Sequence, residues 1–125
     1  MQSGAAISID NPGIVEQLER LSEQELDELP FGVIRIDRVG KVLFYSKTEA
    51  RLSGYGQIPI GLNLFELSSC LASDDFRGRM TRAIEHGAVN LDIAWSGDFA
   101  SPKRDICFHV RSSSPNNIWI LVERD

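Results

Sequence analysis

Cysteine is scarce in this chain, with Cys70 and Cys107 the only two among 125 residues. Two thiols so far apart, in unlike surroundings, do not make a disulfide framework. Histidine is equally scarce. His86 and His109 stand alone, so the clustered Cys/His spacing of a structural zinc site is missing and no metal is expected. No apolar run approaches the roughly 18 residues needed to span a bilayer. Residues 1–10 lack the basic start and long apolar core of a signal peptide, which makes the cytoplasm the expected location. An excess of positive charge is also missing. The formal net charge is -5, and Arg77, Arg79 and Arg82 are interleaved with Asp74, Asp75 and Glu85. That argues against a generic nucleic-acid or anionic-membrane surface. No nucleophile triad, phosphate-binding glycine loop or metal set is visible, so the residues offer no catalytic centre and no enzyme is expected.

What is present is the material of one domain, 42% hydrophobic and 25% charged, long enough to bury a core. Asp10-Asn11-Pro12 reads as a helix start, with Asn11 as cap and Pro12 at the first helical position. Ile14, Leu18 and Leu21 then recur at helical spacing. Ser22-Glu23-Gln24-Glu25 has the form of a capping box, which predicts a second short helix stopping at Pro30. Helices this short are marginal alone, so residues 1–29 are expected to form an N-terminal helical cap over an apolar surface, with residues 30–125 as the core.

From Phe31 the period shortens. Residues 33–37 and 42–45 are strand-formers around a turn in which Gly40 can take a positive φ, which predicts a hairpin. Residues 46–53 predict a short helix ended by Gly54. Phe76, Met80, Ala83 and Ile84 share one face of a longer helix starting near Ser73 or Asp74 and ending at Gly87. Three strands follow. Residues 89–95 and 106–110 alternate apolar with polar, the latter turning Cys107, His109 and Arg111 to the other face. Residues 118–122 are apolar throughout, as in a central strand covered on both sides. Grouped helices and consecutive final strands predict an α+β fold on an antiparallel sheet.

Chemistry concentrates in Tyr45-Ser46-Lys47-Thr48-Glu49, at the end of the second strand, and in Cys70 one loop later. Two readings of Glu49 stand side by side. With Ser46 it can close a capping box, or it can be a buried acid facing a ligand. Tyr45 reads equally as a core aromatic with a wet hydroxyl, and Cys70 as a small apolar residue.

The chain also resembles, along nearly its whole length, the xanthopsins: the photoactive yellow protein family of PAS-fold blue-light receptors. The likeness rests on Leu26-Asp27-Glu28-Leu29-Pro30-Phe31-Gly32-Val33-Ile34, Leu43-Phe44-Tyr45-Ser46, Glu49, Ser53-Gly54, Gly61-Leu62-Asn63-Leu64-Phe65, Cys70, Phe76-Arg77-Gly78, Gly87 and Trp119. It implies a PAS fold with a five-stranded antiparallel sheet. It further implies p-coumaric acid (4-hydroxycinnamic acid) as chromophore, linked by thioester to Cys70. Tyr45 and Glu49 would donate to its phenolate oxygen, with Ser53 supporting Tyr45. Signalling would follow from isomerisation, proton transfer from Glu49 and release of the cap toward a downstream protein, in a monomer or weak homodimer.

Several positions depart from the family pattern. Tyr55 stands where an arginine commonly covers the chromophore. The stretch from Ser53 to Cys70 is two residues shorter, Ser69 and Leu71 replace proline and threonine, and Gly97 and Ser101 replace bulkier shielding residues. A more exposed pocket is the expectation. The competing reading is a pigment-free PAS sensor or protein-interaction module, which has no need of a tyrosine, an acid and a cysteine together.

Overall fold

The change of hydrophobic period at Phe31 is where the chain passes from helices into its sheet. The computed structural model describes residues 8–9, 11–67, 74–96, 104–114 and 116–124. Two short helices come first, α1 (Ile14–Glu19) and α2 (Glu23–Asp27). α2 has the capping box written in its sequence: the Ser22 hydroxyl accepts from the Glu25 amide, and the Glu25 carboxylate accepts from the Ser22 amide. α1 starts later than expected. Asn11 Oδ1 accepts from the Gly13 amide at 2.8 Å, an Asx turn that holds residues 11–13 outside the helix. α1 then begins at Ile14 without a side-chain cap.

β1 (Gly32–Ile36) and β2 (Val42–Tyr45) form the expected hairpin. The Asp37 carboxylate accepts from the Val39 and Lys41 amides, and Gly40 adopts φ 92°, where a side chain would be strained. α3 (Lys47–Ser53) follows, capped by Ser46 and closed by left-handed Gly54. After it come a 3-10 turn (Leu64–Glu66) and α4 (Asp74–Glu85). The last elements are the strands β3 (Asn90–Ser96), β4 (Asp105–Ser114) and β5 (Asn117–Arg124). The five strands pair antiparallel in the order β2-β1-β5-β4-β3. β5 sits at the centre, as its apolar run predicted, and the fold is α+β.

Alternation along the strands sends side chains to two faces. On the inner face, Ile34, Ile36, Ile93, Phe108, Ile118, Ile120 and Val122 pack with Phe76 and Met80 of α4 and with Leu64 and Phe65. On the outer face, Val33, Phe44, Trp119 and Leu121 are covered by Ile14 and Leu18 of α1 and Leu26 of α2. Polar contacts fasten this cover at two points. Glu19 accepts from the Asn117 side-chain amide at 2.6 Å. Asp27 reaches the start of α3: its Oδ1 accepts from the Lys47 amide and its carbonyl from the Thr48 hydroxyl, both at 2.7 Å. The helical cover and α3 therefore share hydrogen bonds.

Beyond the cover, the outer face is polar and joined across three strands. His109 on β4 lies on the face that its alternation predicted, but it is buried. Its Nδ1 is 2.9 Å from Asp92 on β3 and its Nε2 is 3.0 Å from Glu123 on β5. Arg111 adds an ion pair to Asp92 at 3.0 Å. Burial works against charge on Asp92, yet hydrogen bonds from Arg111 and His109 outweigh it and hold the carboxyl below its ordinary range. A folded pKa below the unfolded one means stabilisation present above the unfolded value, about 3.9, and lost as pH falls through the folded value. Asp92 is half-exposed, so Asp92→Asn is expected to cost less than about 1 kcal/mol at neutral pH. In urea melts the gap to the parent chain should close in acid. A gap of constant size down to acid pH would count against this account.

Candidate functional site

Glu49 and Ser53, four residues apart, share one face of α3, and Tyr45 ends β2 just before that helix. All three are buried, at 5% (Tyr45), 4% (Glu49) and 3% (Ser53) exposure. Ser46 builds the junction. Its Oγ accepts from the Glu49 amide and the Val33 amide, both at 3.1 Å, while its own amide donates to the Val33 carbonyl at 2.9 Å. One serine thus caps α3 and pins it to β1. With the Ser46 amide committed to Val33, the Glu49 carboxylate turns elsewhere.

It turns to Arg124, at the end of β5. Arg124 Nη1 donates to Glu49 Oε1 and Nη2 to Oε2, each at 2.7 Å. Both side chains are nearly sealed from solvent, at 6% and 5% exposure. Two parallel short bonds are the geometry of an ionised carboxylate held by a guanidinium fork. Gly32 makes room for it, because a Cβ there would lie 1.8 Å from Glu49 Oε1. The glycine of the Phe31-Gly32 pair is a packing requirement of the acid.

The Tyr45 hydroxyl is hydrogen-bonded to Ser53 and feels the charges of Glu49 and Arg124. Burial first, and the Glu49 charge second, push its phenol well above the usual tyrosine range. Tyr45 therefore keeps its proton at every physiological pH and remains a hydrogen-bond donor. Tyr55 flanks it, with ring centroids 6.3 Å apart and planes tilted by 55°, and the Tyr55 amide donates to Ser53 Oγ at 3.1 Å. The structure brings Tyr45, Glu49, Ser53 and Tyr55 together. Cys70, and with it Ser69, Leu71, Gly97 and Ser101, lies outside the described residues.

Arg124 is the site residue that sequence reasoning missed. A signal for it existed in β5. Ile118, Ile120 and Val122 point inward, and the period of two puts Arg124 on the same side. A cation at an inward position of a central strand requires a buried anion. Arg124 also borders a concavity of about 760 Å3 shared with Trp95, Cys107 and Glu123. Cys107 is a free, half-buried thiol whose pKa is raised by burial and by the charges of Asp92 and Glu123.

The donor set suits an anionic oxygen: a permanent phenol donor, a second hydroxyl, a carboxyl able to take a proton and a fixed cation, all away from water. That chemistry fits an acidic oxygen of a small ligand. Among the described residues, no cluster of His, Cys, Asp and Glu could hold a metal ion, and no helix is long and apolar enough to cross a membrane.

No family model matches the chain. The PAS domain of an HTR-like protein from Haloarcula marismortui superposes with a TM-score of 0.59 at 12% identity, covering 89% of this chain and 99% of that one. That likeness defines a PAS fold. The photoactive yellow protein domain of the sensor histidine kinase Ppr from Rhodospirillum centenum gives a TM-score of 0.72 at 28% identity, over 86% of this chain and 96% of that one. Photoactive yellow protein from Halochromatium salexigens is 30% identical over 114 residues, 89% of this chain and 91% of the relative. The chain belongs to the photoactive yellow protein family.

Proposed function

We propose that this chain is a blue-light photoreceptor carrying a p-coumaroyl group as a thioester on Cys70, with Tyr45 and Glu49 at its phenolic oxygen. The observation that carries this reading is the burial of Tyr45, Glu49 and Ser53 at one site, in the order the family uses. When bound, the group supplies absorption of blue light and the change of shape that follows.

The chain supplies the rest. Tyr45, locked in its protonated form, donates a hydrogen bond and helps to orient the ligand oxygen. Ser53 steadies the Tyr45 hydroxyl, and Tyr55 walls the site beside it. Glu49 is the group that holds or gives up a proton, and a change in its charge alters its paired bonds to Arg124 and strains that link. That strain falls on α3, whose first turn is bonded to Asp27 at the end of α2. Movement of α3 loosens the helical cover and uncovers Trp119 and Leu121 for a downstream signalling protein.

Mixing the purified chain with activated p-coumaric acid tests the reading. The expected product is yellow, with the added mass on Cys70, and Cys70→Ala abolishes both colour and adduct. Cys107, its thiol pKa raised, holds little thiolate at neutral pH and should stay unlabelled. No colour, or an adduct on Cys107, would overturn the proposal. One observation favours the pigment-free sensor as second reading: Arg124 already neutralises Glu49 within the chain, so the fold does not depend on a ligand for its charge balance.

A further inference from the structure

The outer face of the sheet holds a cation among apolar neighbours. Arg35 on β1 pairs across the sheet with Phe44 on β2 and Trp119 on β5, so the three side chains share that face. Phe44 and Trp119 belong to the cluster that α1 and α2 cover. The Arg35 guanidinium carbon stands 5.6 Å from the centroid of the Trp119 ring. Stacking of this kind uses the face of a guanidinium and leaves its N–H edges for acceptors. Yet Arg35 Nε is sealed from water and has no hydrogen-bond partner among the described residues. A buried donor on a charged group without an acceptor is costly and rare in folded chains. It calls for an acceptor from outside the chain.

Arg35 also lines a crevice of about 280 Å3 between the helical cover and the sheet. Leu18, Leu21 and Leu26 wall it on the helical side, and Phe44 and Trp119 on the sheet side. A water occupies about 30 Å3 of liquid, so the crevice has room for a small organic molecule. We propose that it binds a small monocarboxylic acid, with the carboxylate on the Nε edge of Arg35 and an apolar body between Trp119 and the leucines of the cover. Two parallel N–H···O bonds from one guanidinium edge match a carboxylate, and leucine and aromatic walls suit the rest of such a ligand. Two acids border the crevice. Glu19 is engaged, accepting from the Asn117 amide and the Trp119 indole. Glu23 is exposed, where water screens its charge. Tyr45 belongs to the inner cluster, so the crevice lies on the other face of the sheet and needs no pigment. A ligand that touches both walls holds the cover in place, because binding to the docked form alone stabilises that form. The cover thereby gains a chemical input separate from α3.

Benzoate serves as the probe on the pigment-free chain, and benzyl alcohol as the same ring without a carboxylate. In proton–nitrogen correlation spectra, benzoate should shift the Arg35 Nε–H and Trp119 Nε1–H resonances together and to saturation. Benzyl alcohol should bind the parent chain about tenfold or more weakly. Arg35→Met and Arg35→Lys should each weaken benzoate by a similar factor, the lysine because it keeps the charge and loses the parallel donors. Arg35→Met removes the unmade donor, so it should fold. In urea, saturating benzoate should delay the exposure of Trp119, followed by its Nε1–H resonance, in the parent and not in Arg35→Met. Equal affinity for benzoate and benzyl alcohol would overturn the proposal, and so would unweakened benzoate binding in Arg35→Met. Shifts that never saturate, or a water that stays on Arg35 Nε in the presence of benzoate, would mean an adventitious contact only. The comparison of the two probes on the parent chain decides the matter even if a variant fails to fold.

Discussion

Replacing Arg124 by methionine in the pigment-free chain is expected to cost about 3–5 kcal/mol, the range for leaving a buried charge without its partner. Glu49→Gln, which strands the guanidinium instead, should cost a similar amount. The double variant Glu49→Gln/Arg124→Met should cost far less than the sum, on the order of 0–2 kcal/mol, because a neutral pair no longer pays for desolvation. Urea denaturation gives all three values, provided the slopes stay constant. The prediction depends on the seal around the pair, with both side chains about one-twentieth exposed. An exposed pair would contribute at most about 1 kcal/mol. Additive losses in the double variant would mean that the two groups do not act as a unit.

Leu18→Ala is the second large effect. Leu18 is fully buried between α1 and the sheet, in the outer cluster with Trp119 and Leu121. Truncating a buried leucine costs about 2–5 kcal/mol. Helices of six and five residues have no stability of their own to absorb that loss. The variant should therefore shed its helical cover while the inner core stays folded. Trp119, 3% exposed in the parent, reports the release as red-shifted fluorescence at denaturant concentrations too low to unfold the sheet. A single transition, with Trp119 emission changing only as the sheet unfolds, would mean that cover and core form one cooperative unit.

Much of the fold was legible because its signals are local. The capping box of α2, the Gly40 turn, the Gly54 stop and the apolar run of β5 each depend on residues within one turn or strand. Asn11 misled for an equally local reason, since its side chain satisfies an amide two residues on whether or not a helix follows. Tyr45, Glu49 and Ser53 could be read together because the family resemblance joins them; Glu49 and Ser53 are four residues apart on α3, and Tyr45 ends the strand just before it. Glu49's two readings could not be separated, because what distinguishes them lies 75 residues away. The burial of His109 was hidden in the same way. Its partners, Asp92 and Glu123, arrive through strand register, which alternation alone does not fix.

The bonds from Asp27 to Lys47 and Thr48 have a further consequence. The start of α3 borrows its acceptors from α2, so undocking α2 leaves the Lys47 amide without that acceptor, and fraying α3 weakens the seat of α2. Coupling of this kind is reciprocal: whatever free energy a change at Glu49 takes from the docking of α2, a protein that captures undocked α2 imposes on Glu49. On the proposed photoreceptor reading, a partner that binds the freed helices would prolong the state that freed them. On that reading, the return to rest would be timed by the chain and its partner together.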